Sequence, residues 1–333
     1  MALPPVRRRL FLAALLACGF GPARAEARRF RIALANLDET PGVSLEGLGF
    51  TGTDVRRSFE LAARTLPVDM LYFDNAGDPA RAVANADAAI AAKIDLMIEY
   101  NADTAANAEI ARRLAAAAIP ALALVDPLPG APLYGPDNRA AGRIAGRTLG
   151  IFARETWPDE QVLGVLIGDL AEPSPAISDR VQGITEGVHE SLPTLKLASL
   201  DTGGQSVRAD ALLAKFLQTQ RGQRLLIATL DDLAAVYAKN AIEMNQRQSD
   251  CVIVSQGLDR NVHGGASEKK EIDPHNRGSV VLGSVAYYMD GYDVLPLALR
   301  LLAGETLAPR TVTQHILITA ANVFREYPPF DMN

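Results

Sequence analysis

Cysteine is nearly absent from this 333-residue chain, which has two, Cys18 and Cys251. Cys18 falls in a segment with the marks of a cleaved leader, so a mature chain keeps one thiol and can form no internal disulfide or cysteine-built metal site. Histidine is also scarce. The four, His189, His263, His275 and His315, are scattered, with no H-E-x-x-H and no paired-ligand spacing, so metal catalysis has little support. No G-x-S-x-G occurs, and serines near glycines, such as Ser44 and Ser284, lack a recognisable neighbouring base. No stretch after the leader approaches about 18 uninterrupted apolar residues, the length expected of a membrane helix.

The leader is residues 1–25. Arg7-Arg8-Arg9 precede the apolar run Leu10 to Ala17, and Ala23-Arg24-Ala25 supplies small residues for cleavage, the pattern of a secretory signal peptide. An alternative is a lipoprotein leader ending at Cys18, after Leu15-Leu16-Ala17, which would tether the protein to a membrane. Cleavage after Ala25 removes four arginines and no acid. That leaves 29 of the 33 basic residues against 39 acidic ones, a net charge of −10. Nucleic acid is an improbable partner at that charge.

What is present is an alternation. Strands are expected at Ile32 to Asn36, Val68 to Asp74, Ile94 to Tyr100 and Ile119 to Val125, joined by alanine-rich segments of helical period. The rhythm restarts with strands at Val162 to Gly168, Leu195 to Leu200, Leu225 to Thr229, Val252 to Ser255 and Val280 to Ala286. A helix follows at Asp290 to Ala303, then a β-prone stretch at Thr311 to Thr319. Regular strand-helix alternation predicts an α/β fold of doubly wound parallel sheets, and about 300 residues are too many for one core, so two lobes are expected.

The passage Leu122 to Gly146 reads as the crossover between lobes. An apolar strand ends in Asp126; Pro127, Pro129, Pro132 and Pro136 then forbid a helix. Asp137 or Asn138 can cap the helix that follows. Ligands of open α/β sheets bind beyond the carboxyl ends of the strands. The residues predicted there are Asn36, Asp74, Tyr100-Asn101 and Asp126 in the first half, and Asp169, Asp231-Asp232, Gln256, Asp259 and Tyr287-Tyr288 in the second. Carboxylates and amides suit paired hydroxyls, and aromatic rings suit a C–H face, so the set fits a polyhydroxylated ligand. Each residue alone is more often a turn former or cap.

One motif points elsewhere. Gly47-Leu48-Gly49-Phe50-Thr51-Gly52 is a formal G-x-G-x-x-G, with Asp74 ending the next strand. The first glycine stands well beyond the end of the first strand, however, so a glycine-rich loop entering a helix is the favoured reading over a dinucleotide site. Trp157, before Pro158, reads as a helix-end packing residue.

From Phe30 onward the chain resembles the periplasmic sugar-binding proteins of the ribose-binding, lac-repressor-like class, the receptor components of ABC importers. The stretches that carry the likeness are Val68 to Ala86, Ile94 to Asn101, Ile119 to Asp126, the crossover Gly135 to Gly142, Thr229 to Ala234, and Gly283 to Ala303 followed by Gly304-Glu305. The resemblance implies two Rossmann-like lobes joined by a three-segment hinge. The N-terminal lobe would hold residues 26–136 and 287–309, the C-terminal lobe residues 137–286 and 310–333. A helix-turn-helix, which the repressors of the class carry before the first strand, is replaced here by the signal peptide.

Carried over residue by residue, the resemblance places Asn36, Asn101 and Asp126 at the polar ligand positions of the first lobe and Phe50 near its stacking aromatic. The second lobe departs. Leu230-Asp231 stands for the usual Asn-Asp, Ser178 for the usual arginine with Arg180 two residues on, Tyr287 for a glutamine, and Gln256 near an expected aspartate. The expected binding residues are therefore Asn36, Phe50, Asn101, Asp126, Arg180, Gln256, Asp259 and Tyr287. The function expected is a non-catalytic, monomeric, periplasmic receptor without cofactors, which passes a sugar-like solute to an ABC permease in the inner membrane. A periplasmic sensor for a membrane kinase or chemoreceptor, and more distantly a nucleotide-dependent enzyme, are the alternatives.

Overall fold

In a computed structural model of the protein, the described residues are 28–41, 43, 45, 51–171, 173–258, 262, 270–287 and 291–326. The leader, Phe50 and Asp259 lie outside them, as does the side chain of Tyr287.

Two six-stranded sheets organise the chain. The first contains β1 (Phe30–Asn36), β2 (Val68–Asp74), β3 (Leu96–Glu99), β4 (Ala121–Leu124), β5 (Leu133–Gly135) and β11 (Arg310–Val312), in the order β11-β5-β4-β3-β1-β2. The second contains β6 (Val162–Gly168), β7 (Leu197–Asp201), β8 (Arg224–Thr229), β9 (Cys251–Gln256), β10 (Val281–Tyr287) and β12 (His315–Thr319), in the order β12-β10-β9-β8-β6-β7. The two orders are the same pattern repeated. All pairings are parallel except β10 with β12.

The strands are continuously apolar because both faces are covered. In the first sheet, α1 (Gly52–Ala63) and α8 (Gly291–Leu302) close one face over Ile32, Leu34, Leu96 and Ile98. Helices α2 (Pro79–Ala91) and α3 (Thr104–Ala116) close the other over Ala33, Ala35 and Met97. In the second sheet, α4 (Asn138–Thr156) and α5 (Pro175–His189) cover Val252 and Val254, while α6 (Arg208–Thr219) and α7 (Asp232–Met244) cover Ile227 and Ile253. A last short helix, α9 (Val323–Glu326), follows β12.

Helix starts are set by short polar side chains that accept the first free backbone N–H groups. Asp78 caps α2 with Pro79 behind it, Asp103 caps α3, Asp137 caps α4, Ser174 caps α5 with Pro175 behind it, and Asp231 caps α7. Of the two candidates at the crossover, Asp137 is the cap. Asn138 turns its Oδ1 to the guanidinium of Arg180, 2.7 Å away.

The chain passes between the sheets three times: from β5 through Pro136-Asp137 into α4, from β10 into α8, and from β11 through Thr313-Gln314 into β12. Two boundaries differ from the sequence expectation. Arg310, Thr311 and Val312 pair with β5 in the first sheet, so the return to the second falls after residue 312 and not after 309. Tyr287 is the last residue of β10 and pairs with His315, so it belongs to the second sheet and not to the start of the first lobe's segment. The single β-prone stretch Thr311 to Thr319 is two strands in different sheets, and β5 is a strand within the proline-rich passage that sequence reading leaves without one.

Side chains tie the crossovers together. The Arg310 guanidinium donates to Pro136 O at 2.7 Å, and His315 Nε2 accepts from Asp137 N–H at 2.9 Å. Tyr134 on β5, fully buried, donates its hydroxyl to Asp293 Oδ2 at the start of α8, at 2.9 Å. Burial pushes the pKa of His315 down to about 4, so the ring is the neutral form that can accept.

Candidate functional site

In a sheet of this order the strand sequence reverses direction between β1 and β3, and in the second sheet between β6 and β8. Crevices for ligands open at such switch points, outside the carboxyl ends. The residues at those ends are therefore the ones to weigh.

Asn36 closes β1 and is fully buried. Its Nδ2 donates to Gly52 O at 2.7 Å and to Glu39 Oε1 at 3.2 Å, and its Oδ1 accepts from Leu37 N–H at 3.0 Å. Both amide protons are thus spent inside the lobe, fastening the β1 end to the start of α1, so in this arrangement Asn36 does not offer the ligand contact expected of it. Gly52 is glycine for the same local reason. A Cβ there would lie 1.9 Å from Asp38 O. The α1 N-terminus, capped by Thr51 and Asp54 in a reciprocal pair, begins 16 residues after β1 ends and lies under the Asp38 backbone, which removes the strand-turn-helix context that a dinucleotide fingerprint needs. Gly47 to Phe50 lie outside the described residues.

Asn101, nearly buried, donates to Asn107 Oδ1 at 2.9 Å, and Asn107 Nδ2 returns bonds to Asn101 O at 2.7 Å and Pro127 O at 3.2 Å. This amide pair locks the β3 end, α3 and the β4 end into one rigid edge. Asn101 Oδ1 has no donor among the described residues.

Asp126 follows that edge. It is half-buried, and burial pushes its carboxyl pKa up; among the described residues no hydrogen bond or positive charge offsets the desolvation. An unpaired, partly desolvated carboxylate is costly to a fold and is a strong acceptor for an incoming hydroxyl. Its own backbone N–H bonds Leu124 O at 2.7 Å across the single residue Val125, whose φ is +63°.

The second lobe is built differently. Arg180 is buried and directs its guanidinium to Leu230 O and to Asn138 Oδ1, each at 2.7 Å, so it joins the β8 end to the first crossover instead of standing free as a ligand contact. The Leu230 side chain lies on Gly168, where a Cβ would come within 2.6 Å of Leu230 Cδ1. The leucine at a position expected to be polar is therefore matched by a glycine at the β6 end and is itself buried. Gln256 is fully buried under α4, its Nε2 at 3.5 Å from Ala141 O, again an inward-facing residue where a ligand contact is expected. Asp231 caps α7, and burial raises its pKa against the hydrogen bonds and Arg180 charge that lower it.

Sequence reading misses Glu99. It ends β3, 2% exposed, takes one hydrogen bond from Asn75 Nδ2 at 2.9 Å, and leaves Oε2 with none. Burial pushes its pKa up to about 8, so it is chiefly protonated at neutral pH. A glutamate inside the run Leu96 to Tyr100 was the available signal. Cys251 is also buried, with its thiol pushed up to about 12, and is inert as a nucleophile. Trp157 ends α4, edge-on to Phe152 at 5.0 Å and beneath Arg224, as a packing residue.

Two doubly wound sheets of matching strand order, linked by three crossovers and carrying polar residues at their carboxyl edges, define the class of two-lobed, hinged solute receptors. The family model described as a periplasmic binding protein domain matches residues 42–306, and the chain belongs to that family. No curated protein gives a significant match. Among solved structures, it is similar to GanP, a glucose-galactose binding protein from Geobacillus stearothermophilus, at 18% identity and a TM-score of 0.62 over 89% of this chain and 99% of that one. An ABC transporter periplasmic solute-binding protein from Actinobacillus succinogenes, with bound D-allose, aligns at 15% identity and a TM-score of 0.67 over 88% and 99%. One from Agrobacterium vitis, with bound allitol, aligns at 16% and 0.62 over 89% and 97%. At these identities the likeness establishes a shared fold.

Proposed function

We propose that this chain is an exported, periplasmic receptor that captures a small polyhydroxylated solute, a sugar or sugar alcohol, between its lobes and delivers it to an ABC importer in the inner membrane. The observation that carries the reading is the first-lobe edge. The Asp126 carboxylate and Asn101 Oδ1, two acceptors without donors among the described residues, stand on neighbouring strand ends beside the switch point. A pair of acceptors suits the vicinal hydroxyls of a polyol. The bound D-allose and allitol of two similar folds support the ligand class. Of the second lobe's expected contacts, Asp259 and Tyr287 remain proposed ligand residues, while Arg180 and Gln256 would act from behind, as supports. No covalent chemistry is invoked; the work is capture and hinge closure.

Thermal denaturation against a panel of aldohexoses, ketohexoses, pentoses and sugar alcohols tests this. At least one is expected to raise the melting temperature in a concentration-dependent way. A flat response across the panel would overturn the sugar assignment. Asp126→Ala should weaken binding of that compound by about 10- to 100-fold, the worth of a charge-assisted hydrogen bond. The melting temperature of the empty variant should stay within a degree or two of the parent, or rise, because an uncompensated buried carboxylate is removed.

A further inference from the structure

Among the described residues, six other than glycine have left-handed backbones: Ala76, Lys93, Ala118, Val125, Gln246 and Leu258. Four have ordinary reasons. Lys93, Ala118 and Gln246 directly follow the C-caps of α2, α3 and α7, where such a residue ends a helix, and Ala76 precedes Gly77 in a turn. Val125 and Leu258 have no helix to end. Each instead stands just past a strand, β4 or β9, and those strands occupy the same place in the two matching sheet orders.

A left-handed backbone costs a β-branched residue the most, and glycine would remove the cost. Valine and leucine do something glycine cannot. Val125 is partly buried and packs against the core cluster that holds Leu122, Leu124 and Tyr134, and Leu258 is buried, 3% exposed, in the core of the second sheet. Their backbones are held as well. Val125 N–H donates to Tyr134 O on β5 at 2.8 Å, and the Leu258 N–H donates to Ser284 Oγ on β10 at 3.0 Å. Gly135 presses close from β5, where a Cβ would sit 3.1 Å from Val125 Cα. β5 and β10 are the strands by which the chain leaves each lobe for the hinge.

We propose that Val125 is a positioning residue for ligand capture: its core-packed side chain pins a left-handed turn that holds the Asp126 carboxylate at the sheet edge and ties it to the strand leading into the first crossover. Leu258 builds the equivalent turn in the second lobe. The role deepens the assignment of Asp126 as a ligand acceptor and rests on it. An unpaired, half-buried carboxylate has every reason to swing into water, and the apolar anchor is what denies it that freedom. Glycine at 125 keeps the conformation accessible but removes the anchor. Leucine retains it, as the second lobe already demonstrates.

The test compares V125G, V125L and D126A in the full mature chain. Carboxyl ¹³C NMR follows the titration of Asp126 without any ligand, and calorimetric titration with D-galactose, D-allose and allitol follows binding. V125G is expected to move the Asp126 titration down toward that of an ordinary aspartate and to weaken the best of the three probes about tenfold, the cost of ordering a loosened turn on binding. V125L should leave both as in the parent. An Asp126 titration and an affinity unchanged in V125G would overturn the proposal, leaving Val125 a local oddity of packing. If none of the three probes binds, the titration alone decides. If V125G moves the titration while D126A leaves probe binding intact, the turn positions the carboxylate as proposed, and it is the assignment of Asp126 to the ligand that fails.

Discussion

Raising the pH from 5 to 8 is expected to cost this protein stability, and Glu99→Gln is expected to abolish most of the loss. The folded pKa of Glu99, about 8, lies above the ordinary value of 4.5 that the unfolded chain would show. Below about pH 4.5 both states hold the proton and the group contributes nothing. As pH rises from there to 8, the unfolded chain releases its proton freely while the folded one keeps it, so unfolding becomes progressively easier. The full difference is on the order of 4 kcal/mol, reached as pH passes the folded value. Asp126 and Asp231, also raised by burial, act in the same direction.

His315 supplies the opposite slope on the acid side. Its folded pKa, about 4, lies below the ordinary 6.5, so stability falls as pH drops from 6.5 toward 4 and the unfolded ring takes up a proton the folded ring refuses. The two slopes together predict a maximum between about pH 5 and 6. Denaturant melts of the mature chain at unit pH steps read this directly. Glutamine keeps the bond from Asn75 and has nothing to ionise, so the variant should match the parent at pH 5 and exceed it by on the order of 4 kcal/mol at pH 9. Parallel curves for the two proteins would place the alkaline loss elsewhere.

Much of the architecture could be read from apolar runs because parallel strands covered on both faces leave a strong trace. β2 and β6 have the predicted bounds, and the Pro136-Asp137-Asn138 junction marked the first crossover. β5 left none, and β11 showed only as the front of a single β-prone stretch. Each has three residues, too few for a period, and they pair across a sequence gap from Leu133 to Arg310 that no local pattern can register. The binding edge was legible in residue type and not in direction. Asn36 and Gln256 stand at strand ends as expected, yet both are fully buried. The Asn36 amide satisfies the backbone of its own lobe as readily as it would a ligand, whereas Gln256 reaches Ala141 O only at 3.5 Å and leaves Oε1 without a partner among the described residues. Arg180 follows the logic of Asn36. Asp126 differs from its neighbours in that no group among the described residues takes its carboxylate, so it stays a proposed ligand residue.

A second large mutational effect is expected from a pattern in the sequence. Gly142, Gly146 and Gly150 recur at every fourth residue of α4, and Gly183 and Gly187 do so on α5, the spacing that clears one stripe along a helix for close approach. The two helices fill each other's stripe. A Cβ on Gly146 would lie 2.0 Å from Ile184 O, one on Gly142 2.1 Å from Arg180 O, and one on Gly183 2.0 Å from Arg139 O. The obstacle in each case is backbone, which cannot rotate away, so any side chain must push the helices apart along their length. Ala141, Ala145, Leu149, Ile184 and Val188 would then lose contact in the core beneath. Gly146→Ala gains about 1 kcal/mol of helix propensity and loses more to the displaced packing, for a net loss of about 1–2 kcal/mol. Gly146→Val adds bulk without that propensity and should lose more than about 3 kcal/mol. Arg147→Ala, one residue on and exposed, should change stability by less than about 1 kcal/mol and serves as the control. Separation of α4 from α5 also moves Arg180 relative to Asn138 at the first crossover, so ligand affinity in Gly146→Ala should fall together with stability. A valine variant that melts with the parent would mean that α4 and α5 do not pack backbone against backbone in solution.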